Sequence, residues 1–160
     1  MAISATTAGC SYHLRIHSPT TPVMSNHVDF ASINYLAVLV ATVLAFGLGS
    51  IWYGKPLFGS AWQSEMGLSD EDIQSGNMGM IFGATFVVAF IAMLFLAVFL
   101  GPDATVATGA LHGAIIAAAF IATSIATHYL FSQKSMKLFL IDAGYDVVRY
   151  ALAGAVLGAW

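Results

Sequence analysis

Charged side chains are the scarcest component of this chain. Of its 160 residues only 8% are Asp, Glu, Lys or Arg, against 59% apolar, and the net charge is −3. Soluble domains carry roughly a quarter charged residues, so that class is excluded. Five Lys and Arg build no basic patch, which excludes nucleic acid as a partner. The single cysteine, Cys10, rules out an intramolecular disulfide and a multi-cysteine metal site. Its setting, Ala8-Gly9-Cys10, is no lipoprotein cleavage site, because neither basic residues nor an apolar run precede it. Chemical motifs are missing as well: no HExxH, CxxC, P-loop or GxSxG, and no paired His/Cys spacing. No metal, cofactor or enzymatic activity is therefore expected. Ser124, His128 and Asp142 make a loose nucleophile–base–acid set. They sit on an ordinary helical segment with no visible oxyanion hole, which leaves a hydrolase as a remote alternative.

What the chain has instead is uninterrupted apolar length. Residues 30–54, 73–102 and 104–133 contain no Lys, Arg, Asp or Glu, and the mean hydropathy is +0.83. A bilayer core of about 30 Å needs about 20 helical residues. Four segments supply them, near 33–53, 77–100, 106–131 and 138–160. The pattern predicts an all-α integral membrane four-helix bundle, with residues 33–160 as one four-span domain and no room for a separate soluble catalytic domain. Residues 1–32, rich in Ser, Thr and His and lacking an apolar period, predict a disordered tail. Met24, just before the organised pattern, is a candidate initiator.

Local signals place the ends of the spans. Tyr35 and the Trp52/Tyr53 pair mark the two ends of the first. The following Lys55-Pro56-Leu57-Phe58-Gly59-Ser60-Ala61-Trp62 mixes a turn signal with aromatics and belongs in the interface. Ser69 before Asp70, Glu71 and Asp72 starts a helix, with acids at its positive end; a cation site is the lesser reading of the same residues. Gly101-Pro102-Asp103 is a tight turn, and residues 132–137 form a short hairpin, so successive spans are antiparallel neighbours. Lys55, Lys134 and Lys137 fall on one side and Arg15 on the other. That predicts cytoplasmic hairpin loops and outward termini for a multi-pass membrane protein. Every span carries small residues four apart: Ala41/Ala45/Gly49, Gly79/Gly83, Gly109/Gly113/Ala117 and Gly154/Gly158. Such stripes let helix backbones approach. They predict a compact bundle and give a homodimer its contact faces.

The fourth span differs, because it carries Asp142, Asp146 and Arg149. At about 100° per residue, with Asp142 as zero, Tyr145 falls near 300°, Asp146 near 40° and Arg149 near 340°. Gly144, Ala151, Gly154, Ala155 and Gly158 occupy about 120–220°. A polar face therefore points into the bundle and a separate small-residue face docks a neighbour. Arg149 lies about 16 Å into the helix, where a lone charge is expensive. Asp146 and Arg149, three apart, can pair. Counting back across the hairpin sets His128 level with Asp142 as a hydrogen-bond partner or proton acceptor. Asp142, Tyr145, Asp146, Arg149 and His128 form the candidate polar site. Three readings stand: a network that fixes helix register, a protonatable or ion-binding site, and a contact to a partner subunit or lipid headgroup. His112 lies apart and reads as a packing or interfacial residue.

Three stretches together carry a resemblance. They are Asn34-Tyr35-Leu36-Ala37-Val38-Leu39-Val40-Ala41 running to Trp52 through Trp62; Gly67-Leu68-Ser69 with Gly76-Asn77-Met78; and Leu138-Phe139-Leu140-Ile141-Asp142-Ala143-Gly144-Tyr145 closing with Gly158-Ala159-Trp160. The chain resembles the bacterial membrane family catalogued as domain of unknown function 1761, from about Ile33 to Trp160. The resemblance implies a small four-helix membrane protein and carries over no catalytic or binding residue. The expected function is a non-enzymatic accessory or scaffold acting by helix–helix association. The alternative is a small dimeric proton- or cation-coupled transporter that uses the charges of the fourth helix. The lipid bilayer is the expected partner.

Overall fold

The computed structural model describes residues 30–160; the sequence readings for residues 1–29, a disordered tail and a start at Met24, lie outside the described residues. Among the described residues, structure is present ahead of residue 33. Phe30–Ser32 form one 3-10 turn, because the Phe30 ring meets Phe95 edge-on at 6.5 Å and its carbonyl accepts the Tyr35 hydroxyl at 3.0 Å.

Helix starts follow the polar residues in the sequence. Asn34 caps α1 (Tyr35–Trp52), its side chain accepting the amides of Leu36 and Ala37. The short α2 (Gly59–Met66) ends at Gly67, whose φ of 69° needs a glycine. Ser69 opens α3 (Asp70–Ser75) with a capping box to Asp72, the bland reading of that acidic run. Asn77 caps α4 (Met78–Leu100) and Thr105 caps α5 (Val106–Phe131). A hairpin with Gln133 at φ 54° leads to Ser135, which caps α6 (Met136–Leu157). Six residues of α5, Ala117–Ala122, form a π turn. Among the described residues there is no strand.

Three helices, α1, α4 and α5, are long and apolar enough to cross a membrane. The 22 residues of α6 would reach about 33 Å at 1.5 Å per residue. It stands apart because Lys137, Asp142, Asp146 and Arg149 interrupt its apolar sequence.

α6 is the element the others are built on. A Cβ added at Gly109 would overlap the Gly154 carbonyl, and one at Gly154 the Gly109 carbonyl. Gly113 lies equally close to the Tyr150 carbonyl and Gly158 to that of Thr105. The two glycine stripes thus face one another inside a single chain, bringing backbones into direct contact. On its other side α6 meets α1 through buried Ala41 and Ala45. The core joins Val38 and Ala41 of α1, Met93 and Leu96 of α4, Ala117 of α5, and Tyr150 and Ala153 of α6. α4 buries one stripe, Ala89, Met93 and Leu96, and leaves Phe82, Val88, Phe95 and Phe99 exposed.

Candidate functional site

The polar residues of α6 collect where α1 ends, α5 ends and α6 begins. Asp142 accepts two tyrosine hydroxyls, one on each carboxylate oxygen: Tyr53 at 2.8 Å and Tyr129 at 2.6 Å. Hydrogen bonds to an ionised acceptor are the strong ones, so this half-buried carboxylate is held from both sides. Among the described residues it forms no ion pair. Tyr53 is fixed by aromatic packing, its ring 5.1 Å from Tyr145 and 5.6 Å from Trp62. The neighbouring Trp52 donates its indole N–H to the Ile141 carbonyl at 3.1 Å, tying the end of α1 to α6. The chain then doubles back tightly, and a side chain at Gly59 would overlap the Tyr53 carbonyl.

One turn further along α6, Asp146 and Arg149 form the ion pair that their spacing suggests, at 2.6 Å, with side chains 13% and 19% exposed. The guanidinium also lies against two rings, 5.2 Å from the centre of Tyr145 and 5.1 Å from that of Tyr150. Its Nε is buried and has no hydrogen-bond partner among the described residues. Tyr145 turns its hydroxyl to the Ala45 carbonyl of α1 at 3.2 Å, lying over Gly49, where a Cβ would come within 2.9 Å of that hydroxyl.

The structure therefore assembles Asp142, Tyr145, Asp146 and Arg149 and leaves out His128. That side chain is exposed, and Tyr129 occupies the place at Asp142 that was expected for it. The π turn is the physical reason. From buried Ala117, an unbroken α-helix would return to the same face about eleven residues later, at His128. A π turn takes in one extra residue, so the face returns at Tyr129. Burial agrees: from the end of the turn onward Ile121, Ala122, Ile125, Ala126 and Tyr129 are partly covered, whereas Ser124, Thr127 and His128 are exposed. The same rotation separates Ser124 and His128 from Asp142, so the nucleophile–base–acid set is not assembled. Tyr53, Tyr129 and Tyr150 are the site residues that sequence reasoning missed. Among the described residues no three His, Cys, Asp or Glu side chains group as they would around a metal ion.

A second polar layer closes the same end. Glu65 of α2 accepts the Ser135 hydroxyl at 2.5 Å and lies 3.3 Å from the Lys137 ammonium. Asp70 accepts Lys55 at 2.7 Å and the Gln63 amide at 3.1 Å. The Ser135 hydroxyl, then Lys137, hold the Glu65 carboxyl below its ordinary pKa; Lys55, then Gln63, do the same for Asp70. These contacts bring Lys55 and Lys137 to the end that carries Trp52, Tyr53 and Tyr129.

The chain belongs to the DUF1761 family. The family's model, described as a protein of unknown function, matches residues 36–158. No curated protein and no solved structure matches. The DUF1761 match takes in every residue of the cluster, including Tyr53 and Tyr129.

Proposed function

We propose that this chain is a multi-pass protein of the cell membrane, with α1, α4, α5 and α6 all spanning as a four-helix bundle, and that it acts without catalysis, as an accessory or scaffold component. The observation that carries this reading is the internal answering of the α6 charges. Asp146 has Arg149, Asp142 has two tyrosine hydroxyls and Lys137 has Glu65. A charged helix can cross a bilayer when its charges face protein partners in this way. The outer faces are meanwhile apolar, with Phe82, Val88, Ile91, Phe95 and Phe99 of α4 exposed, a surface suited to lipid or to another helix. The lysine-bearing end lies in the cytoplasm and both termini lie outside.

Association through a second copy falls to α4. The α5 and α6 glycines are consumed inside the chain, whereas a Cβ at Gly83 would meet nothing within 4 Å among the described residues. Mass measurement of the protein in lipid nanodiscs tests this. The expected result is a dimer that Gly83→Leu weakens; a strictly monomeric parent overturns the scaffold reading.

One observation favours transport as a second reading: among the described residues Asp142 is an acid with no cation partner, near one end of the helices. Proton or cation flux in liposomes, abolished by Asp142→Asn, would establish that reading in place of the first. Flux equal to that of empty liposomes would remove it.

A further inference from the structure

Beside the polar cluster, on the opposite face of α6, the end of α1 and the short α2 enclose a lateral groove of about 540 Å³. Its walls are Trp52, Phe58, Ala61, Leu140, Ile141 and Gly144, and Lys137 stands at its rim. The walls are fixed. Trp52 is pinned by its hydrogen bond to Ile141 at 3.1 Å and lies against Phe58 at 4.8 Å. Gly144 forms a notch: a Cβ there would touch only the Trp52 ring, at 3.5 Å.

Where hydrocarbon is the surrounding solvent, an apolar groove open to the side takes an acyl chain. The charge at its mouth decides which headgroup that chain carries. Lys137 is 59% exposed, and its ion pair with Glu65 is long at 3.3 Å, which leaves ammonium donors for a phosphate oxygen. Glu65 is the acid at this rim, and Ser135 and Lys137 already engage both of its oxygens. Lys134, exposed in the adjoining hairpin one residue before Ser135, is a second cation of this segment.

We infer that this groove binds one anionic phospholipid, its acyl chain between Trp52, Phe58 and Gly144 and its phosphate on Lys137. The inference rests on the membrane placement proposed above. Alkaline extraction of membranes tests that placement separately: a chain released by carbonate is not integral, and the membrane reading fails. For the groove, the full-length protein is extracted in mild detergent from bilayers of equal phosphatidylglycerol and phosphatidylcholine, and retained lipids are counted by native mass spectrometry. One phosphatidylglycerol should be retained over phosphatidylcholine by about fivefold, the factor that one lysine near an anionic surface gives. Gly144→Leu fills the notch and should abolish retention, and Ala61→Leu should do the same from α2. Lys137→Gln should keep a bound lipid and lose the preference. Equal retention of the two lipids by the parent, or an undiminished adduct in both groove-filling variants, overturns the proposal.

Discussion

Asp146→Asn and Arg149→Gln should each destabilise the fold, and the two together should destabilise it far less. Asp146 and Arg149 meet at 2.6 Å with 13% and 19% of their side chains exposed, so water screens the pair weakly and the small values of surface ion pairs do not apply. Removing one member strands the other among apolar neighbours, at about 3 kcal/mol or more. The double variant strands neither. What it still loses is the stacking of the guanidinium on Tyr145 and Tyr150, at 5.2 and 5.1 Å, worth about 1–2 kcal/mol together. The buried Nε of Arg149 lacks a hydrogen bond, so its removal returns part of that loss. The expected coupling between the two sites is therefore about 4 kcal/mol or more, above the usual range for residues in direct contact. For a chain of this length each kcal/mol moves the melting temperature by about 2–4 °C. Each single variant should melt about 6–12 °C below the parent in mild detergent, with the double within about 2–6 °C of it. Additive losses, with the double as the least stable protein, would refute the internal ion pair; unchanged single variants would show that these charges are not needed for folding.

The glycine contacts predict a contrast in folded yield. Gly109→Leu and Gly154→Leu drive a side chain into a facing carbonyl and should abolish membrane accumulation, whereas Gly83→Leu should fold; normal yield from the first two would show that the helices do not touch there. Tyr129→Phe removes a 2.6 Å bond to Asp142 and should cost about 1.5–3 kcal/mol. His128→Phe should leave the melting temperature unchanged, and the reverse order would place His128 at the site. Acid should release α2 and α3. Glu65 and Asp70 titrate below their ordinary values in the folded chain, so their contacts persist above the usual carboxylate range and are lost as pH falls through the lowered values. Spin labels at Ser64 and Gln133, in a Cys10→Ser background, should show a distance that broadens below about pH 4. A distribution unchanged down to pH 2 would mean that these pairs do not hold the segment.

Much of this fold is written plainly in the residues. Asn34, Ser69, Asn77, Thr105 and Ser135 each precede an apolar or acidic run and each caps a helix, because a short polar side chain is what the first free amides require. The Asp146–Arg149 pair was legible for a similarly local reason: three residues apart on a helix is a neighbouring position. The glycine stripes were legible as contact surfaces but not by partner. A close-packed face reads the same whether it meets its own chain or another copy. Tyr53 and Tyr129 were harder, since a tyrosine at a helix end reads first as an interfacial residue. Their shared role at Asp142 depends on how two ends distant in sequence come together.

His128 failed for a reason that can be put to the test. Counting back across the hairpin fixed the level of His128 beside Asp142 but not the face it occupies, and nothing in the Ala-rich segment Ala117–Ala122 signals a wider turn that would set that face. If that turn holds one surplus residue, deleting Phe120 should relieve it. Phe120 is 70% exposed, so its loss sacrifices little packing. The deletion restores α-helical spacing through the segment while residues beyond it, Tyr129 included, keep their faces. The protein should then accumulate and melt near the parent, and Tyr129→Phe should remain as damaging in the shortened chain as in the full one. Deleting Val148 of α6, also exposed at 42%, has no wide turn to absorb it. It rotates Arg149 and Gly154 by about 100° relative to Asp146, separating the ion pair and the glycine contact at once, and should prevent folding. Equal damage from the two deletions would show that the π turn does not set the register of Tyr129 on Asp142.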